Sequence, residues 1–271
     1  NSFLKKEELD QPEPWFPLEL VFCEDCSFVQ LAHVVSPDLL FANYVYVSST
    51  SPVFVAHFQD FAQKMTDRFG LNSESLVVDI GSNDGILLRP YKEKGVRVMG
   101  VDPAANIAAM ATASGIETKP AYFGPQIAEE IKRDKGQASL MTATSVFPHI
   151  DDLDNIVAGV KTLLADEGVF VIEAYYLVDL IEKNLFDTIY HEHLSYFTVK
   201  TISALFGRLG MQVFDVEKTD THGGSIRVFV QKIGGNRTVS PVVAKFVADE
   251  ETKKIDTIET LLAFEAKISE N

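Results

Sequence analysis

Cysteine occurs only twice in the 271 residues, at Cys23 and Cys26. Two thiols cannot staple a fold of this size, so a reducing cytoplasm is the expected setting. Cations are scarce as well: 24 Lys and Arg against 39 Asp and Glu leave a net charge of −15. No basic run exists, which argues against a sequence-independent grip on nucleic acid and against an anionic membrane surface. No stretch approaches the ~18 to 20 uncharged apolar residues of a membrane helix. The opening "NSFLKKEELDQPEPWFPLEL" lacks both an initiator Met and the apolar core of a signal peptide, so a longer parent chain is expected. What remains is ordinary for a globular chain: 46% hydrophobic and 23% charged residues suffice for one large domain with a small appendage.

Residues 1–52 are rich in Pro and Ser, carry "CEDCSFVQL" and show no sustained period, so they read as an irregular appendage. The pattern changes at Ser51-Pro52. In "VFVAHFQDFAQKMTDRF" the residues Phe54, Phe58, Phe61, Met65 and Phe69 recur at helical spacing, with Gly70 as a stop. Short apolar runs then alternate with amphipathic stretches. Strands are expected at 75–80, 96–102, 116–118, 138–143 and 168–174, with helices between them, which implies βαβ units and a parallel sheet covered on both faces. "GMQVFDVEKTD" and "GSIRVFVQK", joined by "THGG", read as an antiparallel hairpin that ends the sheet. The fold class is therefore α/β, mostly parallel, spanning 53–237. A helical pattern over 238–271 has no core of its own and points to a further domain.

"VVDIGSNDG" sets a glycine-rich turn directly after the first strand of this series. Such a turn lets the backbone approach a ligand at the carboxyl edge of the sheet. A nicotinamide fingerprint would need glycines at 81, 83 and 86, where the chain has Gly81, Asn83 and Ile86. Asp84 adds negative charge where a pyrophosphate would sit. Asp102, 21 residues after Gly81, is placed to accept both hydroxyls of an adenosine ribose. An acidic turn, an acidic strand end and no phosphate cradle favour S-adenosylmethionine, a sulfonium without phosphates. The candidate cofactor residues are Asp79, Gly81, Ser82, Asn83 and Gly85, with Asp102 and Pro103. The alternative is that Gly81 and Gly85 only make a tight strand-to-helix turn.

"DTIYHEHLSYF" groups His191, Glu192 and His193 with Tyr190 and Tyr196. The zincin pattern H-E-x-x-H sets its ligands at i, i+4, whereas these histidines stand at i, i+2 with no third ligand nearby, a poor metal site. Acid–base chemistry is the other functional reading: an imidazole takes a proton at neutral pH and tyrosine hydroxyls donate to a developing oxyanion. A solvated loop with packed tyrosines stays open beside it. His149 in "SVFPHIDD" follows the fourth strand and is expected at the same edge as Gly81. "NYVYVSSTSP" contributes Tyr44 and Tyr46.

With "CEDCSFVQL", "YVYVSSTSP", "VDIGSNDG", "VDPAANIA", "VFPHIDDL", "FDTIYHEHLSYF" and "THGGSIRVFV" in order over nearly the whole length, the chain resembles the nucleotide-sugar C-methyltransferases of deoxysugar biosynthesis. The resemblance implies a Rossmann-like class I methyltransferase domain between a zinc-binding module (1–52) and a C-terminal domain starting near 238, both incomplete here. It implies S-adenosylmethionine as cofactor and a nucleotide-linked keto-deoxysugar as small-molecule substrate. By position it carries catalytic roles to Tyr44, His149, Tyr190, Glu192 and His193. His193, assisted by Glu192, would take the hydrogen alpha to the ketone, and Tyr190 or His149 would hold the enolate oxygen. The family holds zinc with two Cys-x-x-Cys pairs; Cys23 and Cys26 are half of such a set, so zinc is expected only if the missing ligands are supplied. "TATSVFPHI" departs from the family at Ser145 and Pro148. The alternatives are an O-methyltransferase and a cofactor-binding fragment that has lost catalysis.

Overall fold

The computed structural model describes residue 4 and residues 6–42 and 44–269, leaving the side chain of residue 8 aside. Residues of the appendage form two short strands, β1 (Leu20–Phe22) and β2 (Val29–Leu31), and a one-turn helix, α1 (Pro37–Phe41). Helix α2 (Pro52–Phe69) follows, with Ser51 capping its start and Gly70 its end in the left-handed conformation, φ 62°. Its phenylalanine stripe puts Phe58, Phe61 and Met65 into the core.

The alternating series then builds the body. It runs β3 (Leu76–Ile80), α3 (Leu88–Glu93), β4 (Arg97–Asp102), α4 (Ala105–Ala113), β5 (Thr118–Pro120) and α5 (Pro125–Lys135). It continues through β6 (Ala138–Thr144), α6 (Leu153–Leu163), β7 (Leu164–Tyr175) and α7 (Leu177–Glu182). After a two-residue strand, β8 (Ser195–Tyr196), come α8 (Val199–Arg208), β9 (Met211–Thr219) and β10 (Ser225–Lys232). Two helices, α9 (Pro241–Thr252) and α10 (Ile258–Ser269), end the described chain.

Seven strands form one sheet in the order β5-β4-β3-β6-β7-β10-β9. The ladders are parallel from β5 through β7 and antiparallel for β7–β10 and β10–β9. Because helices cover both faces, β3 is buried at every position and one apolar cluster lies on each side of the sheet. β10 lies inside between β7 and β9, which explains why it is buried along nearly its whole length while β9 alternates at the edge. The order of the strands reverses between β3 and β6, and the crevice there is where an open α/β sheet takes its ligand.

Two regions are more ordered than the sequence pattern implies. The appendage is not irregular: β1 and β2 pair antiparallel, and β2 pairs in turn with β8 from the histidine-rich segment. The tail is two helices, and Ile255 and Phe264 are buried in the main core. Glu250 of α9, only 1% exposed, accepts hydrogen bonds from the Tyr176 hydroxyl (2.9 Å) and from the first backbone N–H groups of α8, Val199 (2.6 Å) and Lys200 (3.0 Å). Glu250→Ala is expected to cost about 2 to 4 kcal/mol, since it orphans buried donors at a helix start, and thermal unfolding measures it. A melting temperature within a degree of wild type would contradict this docking role. Among the described residues no helix is long and apolar enough to cross a membrane.

Candidate active site

The turn after β3 is built by backbone conformations that few residues adopt. Gly81 (φ 67°) and Gly85 (φ 81°) are left-handed, and a Cβ at either would run into Val146 or Ile116. Asn83 shares the left-handed region at φ 47°. That twist aims its N–H at Asp102 Oδ2 (2.8 Å), while Ala104 N–H reaches Oδ1 (2.9 Å). Asp102 therefore fixes the turn as well as facing the cavity. Burial raises its carboxyl, and these two N–H groups oppose the rise. Asp79, buried at the end of β3, accepts from the Thr142 hydroxyl at 2.6 Å; burial pushes its carboxyl up to about 7. Asp84, the charge at the turn, is paired with Arg89 at 3.1 Å.

Asn83 has a second task. Its Oδ1 accepts from Ser48 N–H (2.9 Å) and its Nδ2 donates to the Tyr46 carbonyl (3.1 Å), while Asn106 Nδ2 donates to the Tyr44 carbonyl (2.8 Å). The segment 44–48 is thereby strapped across the glycine turn. The Tyr44 hydroxyl donates to Glu192 Oε2 at 3.2 Å, which ties the strap to the histidine-rich segment.

That segment is a turn after residue 190, and its two histidines diverge. The Nε2 of His191 meets the carbonyls of Phe16 (3.1 Å) and Pro17 (3.2 Å) in the appendage, so it is a tether. His193 turns inward, 2% exposed. Its Nδ1 is 2.6 Å from the Thr188 carbonyl. A carbonyl only accepts, so the proton sits on Nδ1 and Nε2 carries the lone pair. The Nε2 atom is buried with no hydrogen-bond partner among the described residues. The main chain at Thr188 thus orients the ring, while Glu192 Oε2 receives the Tyr44 hydroxyl. Burial lowers His193 to about 4 and His149 to about 3, so both are neutral.

The rings of Tyr190 (4.1 Å), Tyr175 (4.5 Å) and His149 (5.0 Å) surround His193. Burial, then Glu192, pushes Tyr190 up to about 12, which keeps its hydroxyl a donor. Tyr175 and His222 are additional site residues. Tyr175 ends a buried strand and His222 stands in the hairpin turn, and neither pattern marks chemistry.

One cavity of about 970 Å3 holds both groups: Gly81 and Asp102 line one part, Tyr175, Tyr190, His149 and His193 another. Tyr44, Asp79, Ser82, Asn83 and Pro103 line it too, whereas Gly85 acts from beneath the turn. Its described lining includes Asp79 and Asp102 and no Lys or Arg. A glycine cradle that a Cβ would fill, in a described lining with six aspartates and no Lys or Arg, fits a sulfonium with an amino-acid tail and a ribose.

Among the described residues no further metal ligand joins the cysteines. Cys23 and Cys26 are exposed free thiols in a hooked turn, closed by Ser27 N–H to Cys23 O (2.8 Å). A hydrogen bond from the Cys26 backbone holds Cys23 below the usual thiol value. Among the described residues no cluster of three or more His, Cys, Asp or Glu could hold a metal, so two thiols stand where tetrahedral zinc needs four ligands.

A methyltransferase domain model matches residues 54–216, a zinc binding domain model residues 1–41, and a C-methyltransferase C-terminal domain model residues 220–271. C-methyltransferase NovU of Streptomyces niveus is 42% identical over 243 residues, 90% of this chain and 58% of that protein, so the chain spans a little over half of that relative's length. A ubiquinone biosynthesis O-methyltransferase of Methylobacterium sp. (strain 4-46) is 30% identical over 125 residues, 44% of this chain and 50% of that protein. A solved structure from Listeria monocytogenes, assigned to the S-adenosylmethionine-dependent methyltransferases, superposes with a TM-score of 0.50 at 16% identity, over 65% of this chain and 99% of that one, a likeness of fold. The chain belongs to the methyltransferase family whose domain model its residues 54–216 match.

Proposed function

We propose that the chain methylates a carbon alpha to the ketone of a nucleotide-linked keto-deoxysugar through an enolate. The observation that carries this reading is the shared cavity, in which the buried lone pair of His193 Nε2 stands in the same space as the glycine turn. When bound, S-adenosylmethionine supplies a methyl group on a positively charged sulfur. The residues of the chain do the rest. Asp79, Asp102 and the turn at Gly81, Ser82 and Asn83 hold the cofactor, supported by Gly85 and Pro103. His193 Nε2 takes the alpha hydrogen, and a protonated tyrosine hydroxyl donates to the oxygen that gains charge. Tyr44 and Glu192 fix the strap over the site, and the apolar walls keep the two reacting carbons close and dry.

The lack of Lys and Arg in the described lining favours an uncharged ring inside the cavity, with the phosphates of the nucleotide outside it. The two free thiols support assignment to the cytoplasm.

Because burial sets His193 at about 4 rather than the ordinary 6.5, the base is present throughout the neutral range. Protonation of Nε2 removes it only as pH falls toward that lower value. With the cofactor saturating, so that Asp79 near 7 acts on its affinity and not on the base, the expected profile of kcat is flat from roughly pH 8 to roughly pH 5.5 on the acid side. An acid limb near the ordinary histidine value would contradict this.

The partial match to ubiquinone biosynthesis O-methyltransferases favours a second reading, in which the same imidazole takes a hydroxyl proton. Incubation with a thymidine-diphosphate-linked 4-keto-6-deoxyhexose and S-adenosylhomocysteine in deuterated water separates the two. The carbon reading requires exchange of a hydrogen alpha to the ketone; methyl transfer without any exchange supports oxygen.

A further inference from the structure

We propose that Tyr175 is a further catalytic residue of this site, its hydroxyl donating the hydrogen bond that holds the ketone oxygen as it becomes an enolate. This deepens the carbon-methylation reading and rests on it.

Three observations converge on Tyr175. The first is its place. It is the last residue of β7, at the carboxyl edge of the sheet and next to the crevice beside β6, and it lines the shared cavity. The second is rigidity. Ser145 N–H bonds to the Glu173 carbonyl (2.8 Å), Leu177 N–H to the Phe197 carbonyl (3.0 Å), and the Tyr176 hydroxyl to Glu250 (2.9 Å). The Glu173 side chain is itself held by Arg227 (2.8 Å) and His57 (2.8 Å). A donor on so fixed a strand end needs no reorganisation when charge develops, which is what makes such groups effective.

The third observation is the surroundings of the ring. Tyr175 contacts His193 at 4.5 Å between centroids and His222 at 5.2 Å, so it stands beside the imidazole that bears the free lone pair. Its hydroxyl enters no hydrogen bond with the rest of the described chain. Burial, then Tyr190 and Glu192, raise its phenol far above the ordinary tyrosine value, so it remains a donor. His222 occupies the left-handed region (φ 52°, ψ 34°), a conformation costly for a residue with a Cβ, and it packs against Tyr175 and Phe54. The strained turn thus packs edge-on against the Tyr175 ring.

The step balances within these groups. The lone pair of His193 Nε2 forms the new N–H bond as the alpha C–H bond breaks. That electron pair becomes the carbon–carbon double bond, and the carbonyl π pair moves to oxygen, where the Tyr175 O–H hydrogen-bonds to it without giving up its proton. In the transfer, the enolate carbon bonds the methyl carbon while the carbonyl reforms and the S–C pair returns to sulfur. The proton on His193 leaves to water afterwards.

The test is Tyr175→Phe in the full chain, which removes one oxygen and keeps the ring. Exchange is followed in deuterated water with thymidine-diphosphate-linked 4-keto-6-deoxyglucose and S-adenosylhomocysteine, methyl transfer with S-adenosylmethionine, and S-adenosylhomocysteine affinity by titration calorimetry. The expected result is a fall of about 10²- to 10³-fold in both exchange and transfer, with cofactor affinity within about threefold of wild type. A variant that matches an exchanging wild type overturns the role of Tyr175 alone. A loss of affinity as large as the loss of rate overturns it in favour of packing. A wild-type chain that transfers methyl without exchange overturns the carbon reading, and the enolate role with it.

Discussion

His193→Asn is expected to lower methyl transfer by about 10³-fold or more, while S-adenosylhomocysteine binds within about threefold of wild type. The argument is geometric. Nε2 of His193 is the buried lone pair whose tautomer is fixed by the chain itself, through the 2.6 Å bond from Nδ1 to the Thr188 carbonyl. An asparagine side chain can still donate to that carbonyl, but it brings no basic nitrogen to the cavity. The strap at Tyr44 and Tyr46 is anchored by Asn83 and Asn106, and the glycine turn by Asp102. None of these bonds involves His193, so cofactor affinity should survive. Kinetics and calorimetry on one preparation decide the matter: a drop in affinity comparable to the drop in rate would make His193 a packing residue.

Asp102→Ala should fail in the opposite order, with S-adenosylhomocysteine affinity falling by about 100-fold or more before stability suffers a comparable loss. Asp102 accepts from two backbone donors, Asn83 N–H and Ala104 N–H, with one oxygen for each. Its removal also takes away the acceptor for the ribose hydroxyls, where a hydrogen bond to a charged group is worth about 1.5 to 3 kcal/mol and each 1.4 kcal/mol is tenfold in affinity. The loss of the backbone bonds falls on the turn, because Asn83 is held in its left-handed conformation by one of them and in turn holds Ser48 and Tyr46. Asp102→Asn keeps one acceptor and should lie between. Calorimetric titration with unchanged affinity in Asp102→Ala would show that the turn stands without its carboxylate.

The parallel sheet was readable because strands buried on both faces leave continuous apolar runs, as in "SLVVDI", and because Gly81 and Asp102 are spaced by the length of one βαβ unit. The small sheet escaped notice for the opposite reason. β1 and β2 have three residues each and β8 two, so their pairing is a tertiary fact with no period to detect. Helix α8 had a local signal in the reciprocal Thr198–Thr201 cap and in Val199, Ile202 and Phe206, hidden beside the aromatic segment that draws the eye. In the site, Tyr44, His149, Tyr190, Glu192 and His193 could be picked out by residue type; four of them line the same cavity, and Glu192 is joined to it through the Tyr44 hydroxyl. Their partners could not. A backbone carbonyl such as that of Thr188 has no side-chain identity to read, and Tyr175 looks like the apolar end of a strand until the strand is folded.

The central claim is that the cavity transfers a methyl group to carbon. The measurement that tests it most directly is carbon NMR of the product formed by the purified chain from S-adenosylmethionine labelled with ¹³C at the methyl group and a thymidine-diphosphate-linked 4-keto-6-deoxyhexose labelled in its ring. A labelled methyl signal in the aliphatic region, split by one-bond coupling to a ring carbon next to the ketone, is the result this account predicts. A methyl signal in the methoxy region without that coupling would contradict it.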